Sequence, residues 1–246
     1  MKSDKRSETS AVRCISNAAK AVLENVFPQS IYCICCGNII DSTRSYSLCD
    51  HCMEHIRWNV DEPKHIDDMK VIRCVDYGIY ERSIIFAFKY DGHRYISRDI
   101  ARIMADRLKT AGITERHIIV PVPLHENKLL TRGFNQSLLM GKYLAGEMDW
   151  ELADVLRRTR ETKALRGLGP LERLETISES IELPKECIDL LTGKDIMLVD
   201  DFYTTGSTAR ECKRAMESAN PKSISLIAFA GREWNKGPIG TVCVCD

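Results

Sequence analysis

The sequence has no net charge, because 35 lysines and arginines balance 35 aspartates and glutamates. No global field therefore draws the chain to nucleic acid or a membrane, which argues weakly against a protein dedicated to coating DNA. Long apolar runs are also missing: residues 1–10 are polar, and the apolar residues from Val12 to Val26 recur at helical intervals. This pattern is typical of neither a signal peptide nor a membrane span, so we expect a cytoplasmic protein without membrane contact.

Cysteine, in contrast, is plentiful. The chain has 11 cysteines, and in the reducing cytoplasm closely paired cysteines indicate a metal more often than a disulfide. Two CxxC elements begin at residues 33 and 49, a spacing typical of tetrahedral Zn²⁺ in a treble-clef or ribbon-like finger. The predicted ligands are Cys33, Cys36, Cys49 and Cys52. Four thiolates close the coordination sphere, so the ion would be structural.

The choice of the second ligand depends on a glycine. Gly37 favours Cys36 over Cys35, because a zinc knuckle commonly needs a residue that tolerates positive φ after its second cysteine. Disulfides, metal-free thiols, and Cys35 or His51 as a ligand are the alternatives.

The segment 196–208 combines an apolar strand with a loop suited to phosphate. Ile196–Val199 is typical of a parallel strand covered on both faces, and Asp200 and Asp201 follow it. Free amides at a helix N-terminus attract anions, and two adjacent carboxylates can accept hydrogen bonds from a ribose diol. We therefore predict a ribose-5-phosphate site, against the alternative that Asp and Thr merely cap a helix. Its predicted phosphate-binding residues are Thr204, Thr205, Gly206, Ser207 and Thr208.

Strands and helices alternate through the rest of the chain. We predict strands at 71–77, 117–120, 152–156, 196–199 and 223–229, and helices at 96–108, at 138–144 and from Thr208; an apolar run at 84–90 ends at a turn signal. The alternation predicts an α/β fold with a parallel sheet, whose ligands bind outside the carboxyl ends of the strands. We place an N-terminal helix and zinc module in 1–60, a linker at about 61–68 and the main domain in 69–246.

Together these motifs resemble one family. The segment 196–208 resembles the phosphoribosyl pyrophosphate (PRPP) motif of type I phosphoribosyltransferases. With the Pro-Val-Pro of 121–123, the Arg-Gly-Phe-Asn-Gln of 132–136, Lys89-Tyr90 and the CxxC pairs, nearly the whole chain resembles the ComF family of phosphoribosyltransferase-like proteins. The resemblance implies a type I phosphoribosyltransferase-like parallel sheet flanked by helices, with a small N-terminal zinc finger module of four cysteine ligands.

The resemblance also implies a pyrophosphate site in the loop 121–136. Arg132 and Lys128 are its candidate contacts, since an arginine can pair with two phosphate oxygens at once; a solvated basic loop, with Arg132 paired to a surface acid, is the alternative. Lys89 is assigned to the PRPP site. Asp200, Asp201 and Arg132 form the predicted catalytic set, with Mg²⁺ bound beside PRPP. His125 has no evident partner in the sequence, and we expect a structural role.

Residues 157–173 occupy the flexible-loop position of this fold. The cations that we expect to approach pyrophosphate are Arg160, Lys163, Arg166 and Arg173. The sequence departs from the family here, because Leu165 replaces a glutamine and Thr176 an asparagine. These changes place substrate recognition or turnover in question.

Two functions from different classes follow. The first is transfer of a phosphoribosyl group from PRPP to an unknown acceptor, with release of pyrophosphate; the sequence leaves open whether the chain is an active enzyme. The second, implied by the association of ComF proteins with DNA uptake, is a PRPP-regulated factor that binds single-stranded DNA or a helicase. The surface considered for it is Arg44, His55, Arg57 and Trp58, although Trp58 could simply pack the finger onto the core. A purely structural zinc protein is a third option.

Overall fold

The structure is a computed structural model that describes residues 31–41, 43–90, 93–159 and 180–232. Its main sheet has six strands in the order β1-β2-β8-β7-β3-β4, and a separate antiparallel pair is formed by β5 and β6. The strands are β1 (Lys64–Ile66), β2 (Met69–Asp76), β3 (Ile118–Pro121), β4 (Glu151–Leu152), β5 (Arg157–Arg158), β6 (Ile181–Glu182), β7 (Asp195–Tyr203) and β8 (Ser223–Gly231). Only β1 runs antiparallel to its neighbour in the main sheet.

Helices cover both faces of this sheet. They are α1 (Asp50–His55), α2 (Ile79–Tyr90), α3 (Ile96–Thr110), α4 (Glu126–Arg132), α5 (Gln136–Met148), α6 (Ile188–Leu191) and α7 (Ser207–Met216). No helix within the described ranges has the length and apolar character that crossing a membrane would require.

The core is divided by the central strand β7. Met197 and Val199 belong to a cluster with α3 and α5, whereas Ile196 and Leu198 pack with α6 and α7 on the other face. All four side chains are fully buried. Because burial of one large aliphatic side chain contributes roughly 1.5–3 kcal/mol, this apolar run anchors the strand firmly up to the point where its polar end begins.

The cysteine-containing N-terminal module packs directly on the main domain. Its buried residues Ile34, Leu48 and Ile56 lie in the same hydrophobic cluster as α3. Polar contacts add to this packing: Asp99 of α3 accepts hydrogen bonds from the backbone N–H of Ser47 at 3.0 Å and from its hydroxyl at 2.9 Å. The module is therefore part of one continuous core.

The α/β fold with a largely parallel sheet is confirmed, as are the helices predicted at 96–108 and 138–144 and the strands at 117–120 and 223–229 to within a few residues. The apolar run 84–90 is the second half of α2, and the strand predicted at 152–156 is only Glu151–Leu152. The observed end of β7 and the observed start of the next helix also differ from the predicted bounds. Strand β7 continues through both aspartates to Tyr203, and the following helix begins one residue early, at Ser207.

Two further predictions concern the N-terminal region. Residues 61–68, which we assigned to a linker, contain β1 and a tight turn to β2. The apolar pattern from Val12 to Val26 lies outside the described residues.

Candidate functional site

Two adjacent aspartates lie near the C-terminal end of the central strand β7. Asp200 and Asp201 are the sixth and seventh of the nine residues of β7. Asp201 Oδ2 lies 2.8 Å from Nζ of Lys89 on α2, and both side chains are largely buried. Asp200 Oδ1 accepts hydrogen bonds from the Ser137 hydroxyl at 3.3 Å and from the Asp201 amide at 2.9 Å. The acid pair thus joins β7 to α2 and α5.

Burial makes this pair electrostatically unusual. Desolvation, and then the neighbouring Asp201 charge, raise the pKa of Asp200 to about 7 despite the opposing effect of Lys89. Burial alone would lower the pKa of Lys89, but attraction to Asp201 outweighs it and raises the pKa. Lys89 is therefore a cation at neutral pH, while Asp200 changes charge close to neutral pH.

The loop after the acids contains backbone N–H groups that have no acceptor among the described residues. Gly206 has φ of 77°, and a Cβ on it would lie 2.6 Å from the Tyr203 hydroxyl, so only glycine fits without strain. Helix α7 starts at Ser207 without a side-chain cap. Within the described chain, no residue accepts a hydrogen bond from the amides of residues 205–209. A left-handed residue followed by a helical one turns successive N–H groups toward a common point, which suits an anion.

Hydroxyl groups line the same loop. Thr204 and Thr205 are exposed, and the Thr205 and Ser207 hydroxyls lie 2.6 Å apart. Thr208 is half-buried in the first turn of α7. All five predicted phosphate-binding residues therefore occupy one turn of chain directly after the acids.

The loop after β3 brings in a guanidinium group. Arg132 ends α4, and its Nη1 donates to Gln136 Oε1 at 3.2 Å. Its guanidinium carbon also lies 5.6 Å from the centre of the Tyr90 ring, and Tyr90 is the residue that follows Lys89. Gln136 is buried, and its Nε2 has no hydrogen-bond partner in the described part of the chain. Arg132 thus lies beside Gln136 and Tyr90, close enough to Lys89 for its charge to oppose the rise in the pKa of that lysine.

Two other predicted residues lie on the same segment. Lys128 is half-buried on α4, one turn before Arg132. His125 precedes that helix, and its Nδ1 accepts a hydrogen bond from the Asn127 amide at 3.2 Å. The histidine therefore caps α4.

Sequence reasoning missed two residues near the acids. Ser137 follows the Arg-Gly-Phe-Asn-Gln motif directly, and that position is the only signal that could have identified it. Arg158 is the second: burial lowers its pKa, while the nearby Cys212, Asp200 and Glu211 act in the opposite direction. The predicted loop cations Arg160, Lys163, Arg166 and Arg173, and the changes at Leu165 and Thr176, lie outside the described residues.

A cavity of about 810 Å³ opens beside the loop after β3. Leu129, Phe134 and Leu138 contribute apolar surface, and Lys142 and Arg157 contribute positive charge. Neither acid lines this cavity. It is therefore a separate feature from the acid pair.

The four predicted metal ligands come together. The sulfur atoms of Cys33, Cys36, Cys49 and Cys52 all lie within 4.8 Å of one another. The Cys36 and Cys49 sulfurs are 3.7 Å apart, well beyond a disulfide bond of about 2.05 Å. Four thiols in this arrangement can hold a metal such as zinc.

The surroundings of Cys33 favour its thiolate, whereas burial raises the pKa of Cys36 and of Cys52. Burial would raise the pKa of Cys33, but the backbone N–H groups of Cys49, Cys36 and Cys35 outweigh it and lower the pKa to about 7. Gly37 has φ of 75°. The Cys35 thiol instead faces the Tyr80 carbonyl at 3.5 Å, and His51 Nε2 lies 3.1 Å from the Tyr80 hydroxyl. Both alternative ligands are thus engaged by α2.

The surface that we considered for nucleic acid is largely committed to internal contacts. Arg44 pairs with Asp41 and Asp50, and the Arg57 amide donates to Glu81 Oε1 at 2.6 Å. Trp58 bridges to Val75 of β2 and packs on the shared core. His55 is exposed but stacks on His51 at 4.1 Å. Trp58 thus fastens the module to the sheet.

Comparisons with known proteins find a phosphoribosyl transferase domain and relatives that are named competence proteins. The family profile described as "Phosphoribosyl transferase domain" matches residues 134–244. Competence protein F of Haemophilus influenzae is 25% identical over 207 residues, which cover 79% of this chain and 89% of that protein. Competence protein ComFC of Streptococcus pneumoniae is 29% identical and covers 58% of this chain and 59% of its own length.

Two further comparisons extend this set. The DNA utilization protein YhgH of Escherichia coli K12 is 26% identical and covers 73% of this chain and 74% of its own. A hypoxanthine phosphoribosyltransferase structure from Staphylococcus aureus covers 58% of this chain and 71% of its own at 14% identity, with a TM-score of 0.36 that is too low to carry a conclusion.

Proposed function

This chain belongs to the ComF family of competence-associated proteins with a phosphoribosyltransferase domain, and from that premise we propose that it binds PRPP together with Mg²⁺. The observation that supports this proposal most is the acid pair near the end of β7, which a loop follows two residues later. The amides of that loop have no acceptor among the described residues. A phosphate fits the amides, and a ribose diol fits the carboxylates.

The chain's own groups divide the ligand between them in this proposal. The amides and hydroxyls of residues 204–208 hold the 5-phosphate, and Asp200 and Asp201 accept from the ribose hydroxyls. Arg132 and Lys128 face the pyrophosphate, and the unsatisfied Nε2 of Gln136 offers it another donor. Bound Mg²⁺ would neutralise part of the pyrophosphate charge.

Transfer would follow from this placement. The bond between C1 of the ribose and the pyrophosphate oxygen breaks, and its electron pair leaves with pyrophosphate. The acceptor donates a lone pair to form the new bond at C1 and loses its own proton. Asp200 and Asp201 stabilise positive charge that develops on the ribose, and Arg132 stabilises negative charge on the departing group. We assign none of the described residues as the base that takes the proton.

Calorimetry tests the binding step. Wild-type protein should bind PRPP with Mg²⁺ and lose most of its affinity without it. The double substitution Asp200→Asn and Asp201→Asn should weaken binding by at least about tenfold, because charge-assisted hydrogen bonds contribute about 1.5–3 kcal/mol each. A matched control is Asp195→Asn, at the opposite end of the same strand, where the carboxylate pairs with Lys222.

The control should bind PRPP like wild type. No heat of binding in wild-type protein, or equal binding by the double variant, would refute the proposal. Once binding is established, pyrophosphate release in the presence of trial acceptors would distinguish an enzyme from a binding protein.

A role in DNA uptake is the second candidate. The names of the relatives, competence protein and DNA utilization protein, favour it. The described surface also offers a stacking feature away from the cysteine module: Phe86 and Tyr90 are 51% and 60% exposed, with ring centres 4.7 Å apart. Exposed rings beside an arginine can stack on unpaired bases.

A mobility-shift titration tests this second role. Single-stranded DNA should bind at low salt, release as salt is raised, and bind several-fold more weakly to Phe86→Ala. Leu190→Ala removes a similarly exposed apolar side chain on α6 and should change nothing. Absence of a shift at low salt would remove the direct DNA-binding role and leave a protein partner, such as a helicase, to be sought by co-purification.

A further inference from the structure

An arginine outside the predicted site contacts the loop of residues 204–208, which we call the phosphate loop. Arg210 lies in the first turn of α7, and its Nη2 donates to the Thr205 carbonyl at 2.6 Å. Its Nη1 lies 3.1 Å from Asp67 Oδ2. The same Nη1 would be only 3.2 Å from a Cβ on Gly206. One guanidinium therefore packs against the loop and bridges it to a second segment of the chain.

The contact with the Thr205 carbonyl also fixes an amide. In a trans peptide the C=O and the following N–H point in opposite directions, so the bond to Arg210 directs the Gly206 N–H away from the guanidinium. No acceptor for that N–H exists among the described residues. Without Arg210, glycine's freedom would let this peptide turn over and present a carbonyl oxygen to the anion.

The second segment is the turn between β1 and β2. Asp67 and Asp68 have φ of 49° and 60°, as a two-residue hairpin turn requires. Lys213, one turn further along α7, donates to the Asp67 carbonyl. The turn is therefore fastened to α7 at two points, although it lies within the residues that the sequence suggested as a linker.

We propose that Arg210 is a positioning residue of the phosphate loop, and that Asp67 holds its guanidinium in place. Arg210 draws the Thr205 carbonyl outward so that the Gly206 amide is presented to the ligand. The predicted change in ligand affinity rests on the proposed function, because it requires a phosphoribosyl ligand at this loop. The predicted change in the conformation of the loop does not depend on that ligand.

A direct electrostatic role for Arg210 makes a different prediction. If the positive charge alone attracted the ligand, lysine would serve almost as well. A lysine ammonium lacks the planar fork that reaches two acceptors at once, so it cannot hold Thr205 and Asp67 together in the same way. Arg210→Lys consequently distinguishes positioning from attraction.

Calorimetric titration with PRPP and Mg²⁺ measures the effect on binding. Arg210→Ala and Arg210→Lys should each weaken binding by about tenfold, the loss of one charged hydrogen bond. Asp67→Asn keeps a residue that tolerates the left-handed turn and should weaken binding by about threefold. Lys213→Ala removes the same charge from the same helix. The Lys213 ammonium donates to the Asp67 carbonyl and, among the described residues, makes no hydrogen bond to the loop 204–208, so affinity should change less than twofold.

The Gly206 amide resonance in ¹⁵N-labelled protein without ligand is the independent readout. It should shift and broaden in both Arg210 variants and stay in place in Lys213→Ala. Wild-type affinity in Arg210→Lys, or an unchanged Gly206 amide in Arg210→Ala, would overturn the proposal. If wild-type protein does not bind PRPP, the proposed function fails, while the amide resonance still decides whether Arg210 holds the loop.

Discussion

At the scale of single residues, Asp200 is the most sensitive group. An aspartate in an unfolded chain has a pKa of about 3.9, whereas burial and Asp201 raise that of Asp200 to about 7. Between these values the folded protein keeps a proton that the unfolded chain has lost. The contribution of Asp200 to the free energy of unfolding should therefore fall as the pH rises from about 4 to about 7, and stay lower above that range.

Asp200→Asn tests how much the ionised Asp200 side chain lowers the free energy of unfolding. The neutral amide cannot ionise, so at pH 8 the variant should unfold at least about 2 °C above wild type, while near pH 4 the difference should vanish. Differential scanning calorimetry at both pH values measures it. Asp195→Asn should instead unfold at a lower temperature than wild type at pH 8, because Lys222 and Ser223 lower the pKa of Asp195 and its charge stabilises the fold at neutral pH. Equal destabilisation by Asp200→Asn at both pH values would contradict the burial argument.

The sequence pointed to Asp200, Asp201 and the loop 204–208, because these acids, hydroxyls and glycine follow one another closely in the chain. It could not identify Arg210 or Asp67. Their contacts join residues 143 positions apart, and a surface arginine on a helix has no local signal that distinguishes a loop contact from solvent. Ser137 was missed for a related reason, since its partner Asp200 lies 63 residues away.

At the scale of elements, local backbone conformation explains how each CxxC element brings its two cysteines together. Gly37 takes the left-handed conformation at the end of the first CxxC, and Cys49 Sγ accepts from the Cys52 amide at the start of α1. These local features place the four sulfurs together, while Cys35 points to α2. The direction of each side chain therefore favours Cys36 over Cys35 as the predicted ligand.

Metal analysis checks that choice. Purified protein should contain about one zinc per chain, Cys36→Ser should lose most of it, and Cys35→Ser should retain it. Loss of metal should also lower the unfolding temperature, because metal binding contributes to folding free energy. Elemental analysis with thermal denaturation of the same samples gives both values. A folded wild-type protein without metal, or equal zinc loss in both variants, would remove this assignment.

Helix α2 shows where pattern reading fails. Ile84, Ile85 and Phe88 face the core, but Phe86 and Tyr90 are exposed and equally apolar, so the helical period disappears from the sequence. Helix α3 has the opposite character, with charged residues on its outer face, and its bounds were predicted closely. The predictable helix is thus the one whose exposed face is polar.

At the scale of the whole molecule, a connected set of contacts runs from the cysteine module to the acid pair. Cys35 and His51 contact Tyr80 in the first turn of α2, and Lys89 in its last turn contacts Asp201. The shared core joins the same parts. Sequence composition suggested separate units here, because a polar, proline-containing stretch resembles a linker even when it forms a strand and a tethered turn.

The position of the last described strand has a consequence for synthesis on the ribosome. Strand β8 lies between β2 and β7 and pairs with both in parallel. The cysteine module, the acids and the phosphate loop are therefore all translated before the strand that joins the two halves of the sheet. A nascent chain that stops before residue 223 presents two unpaired strand edges, one on β2 and one on β7, to any neighbouring chain.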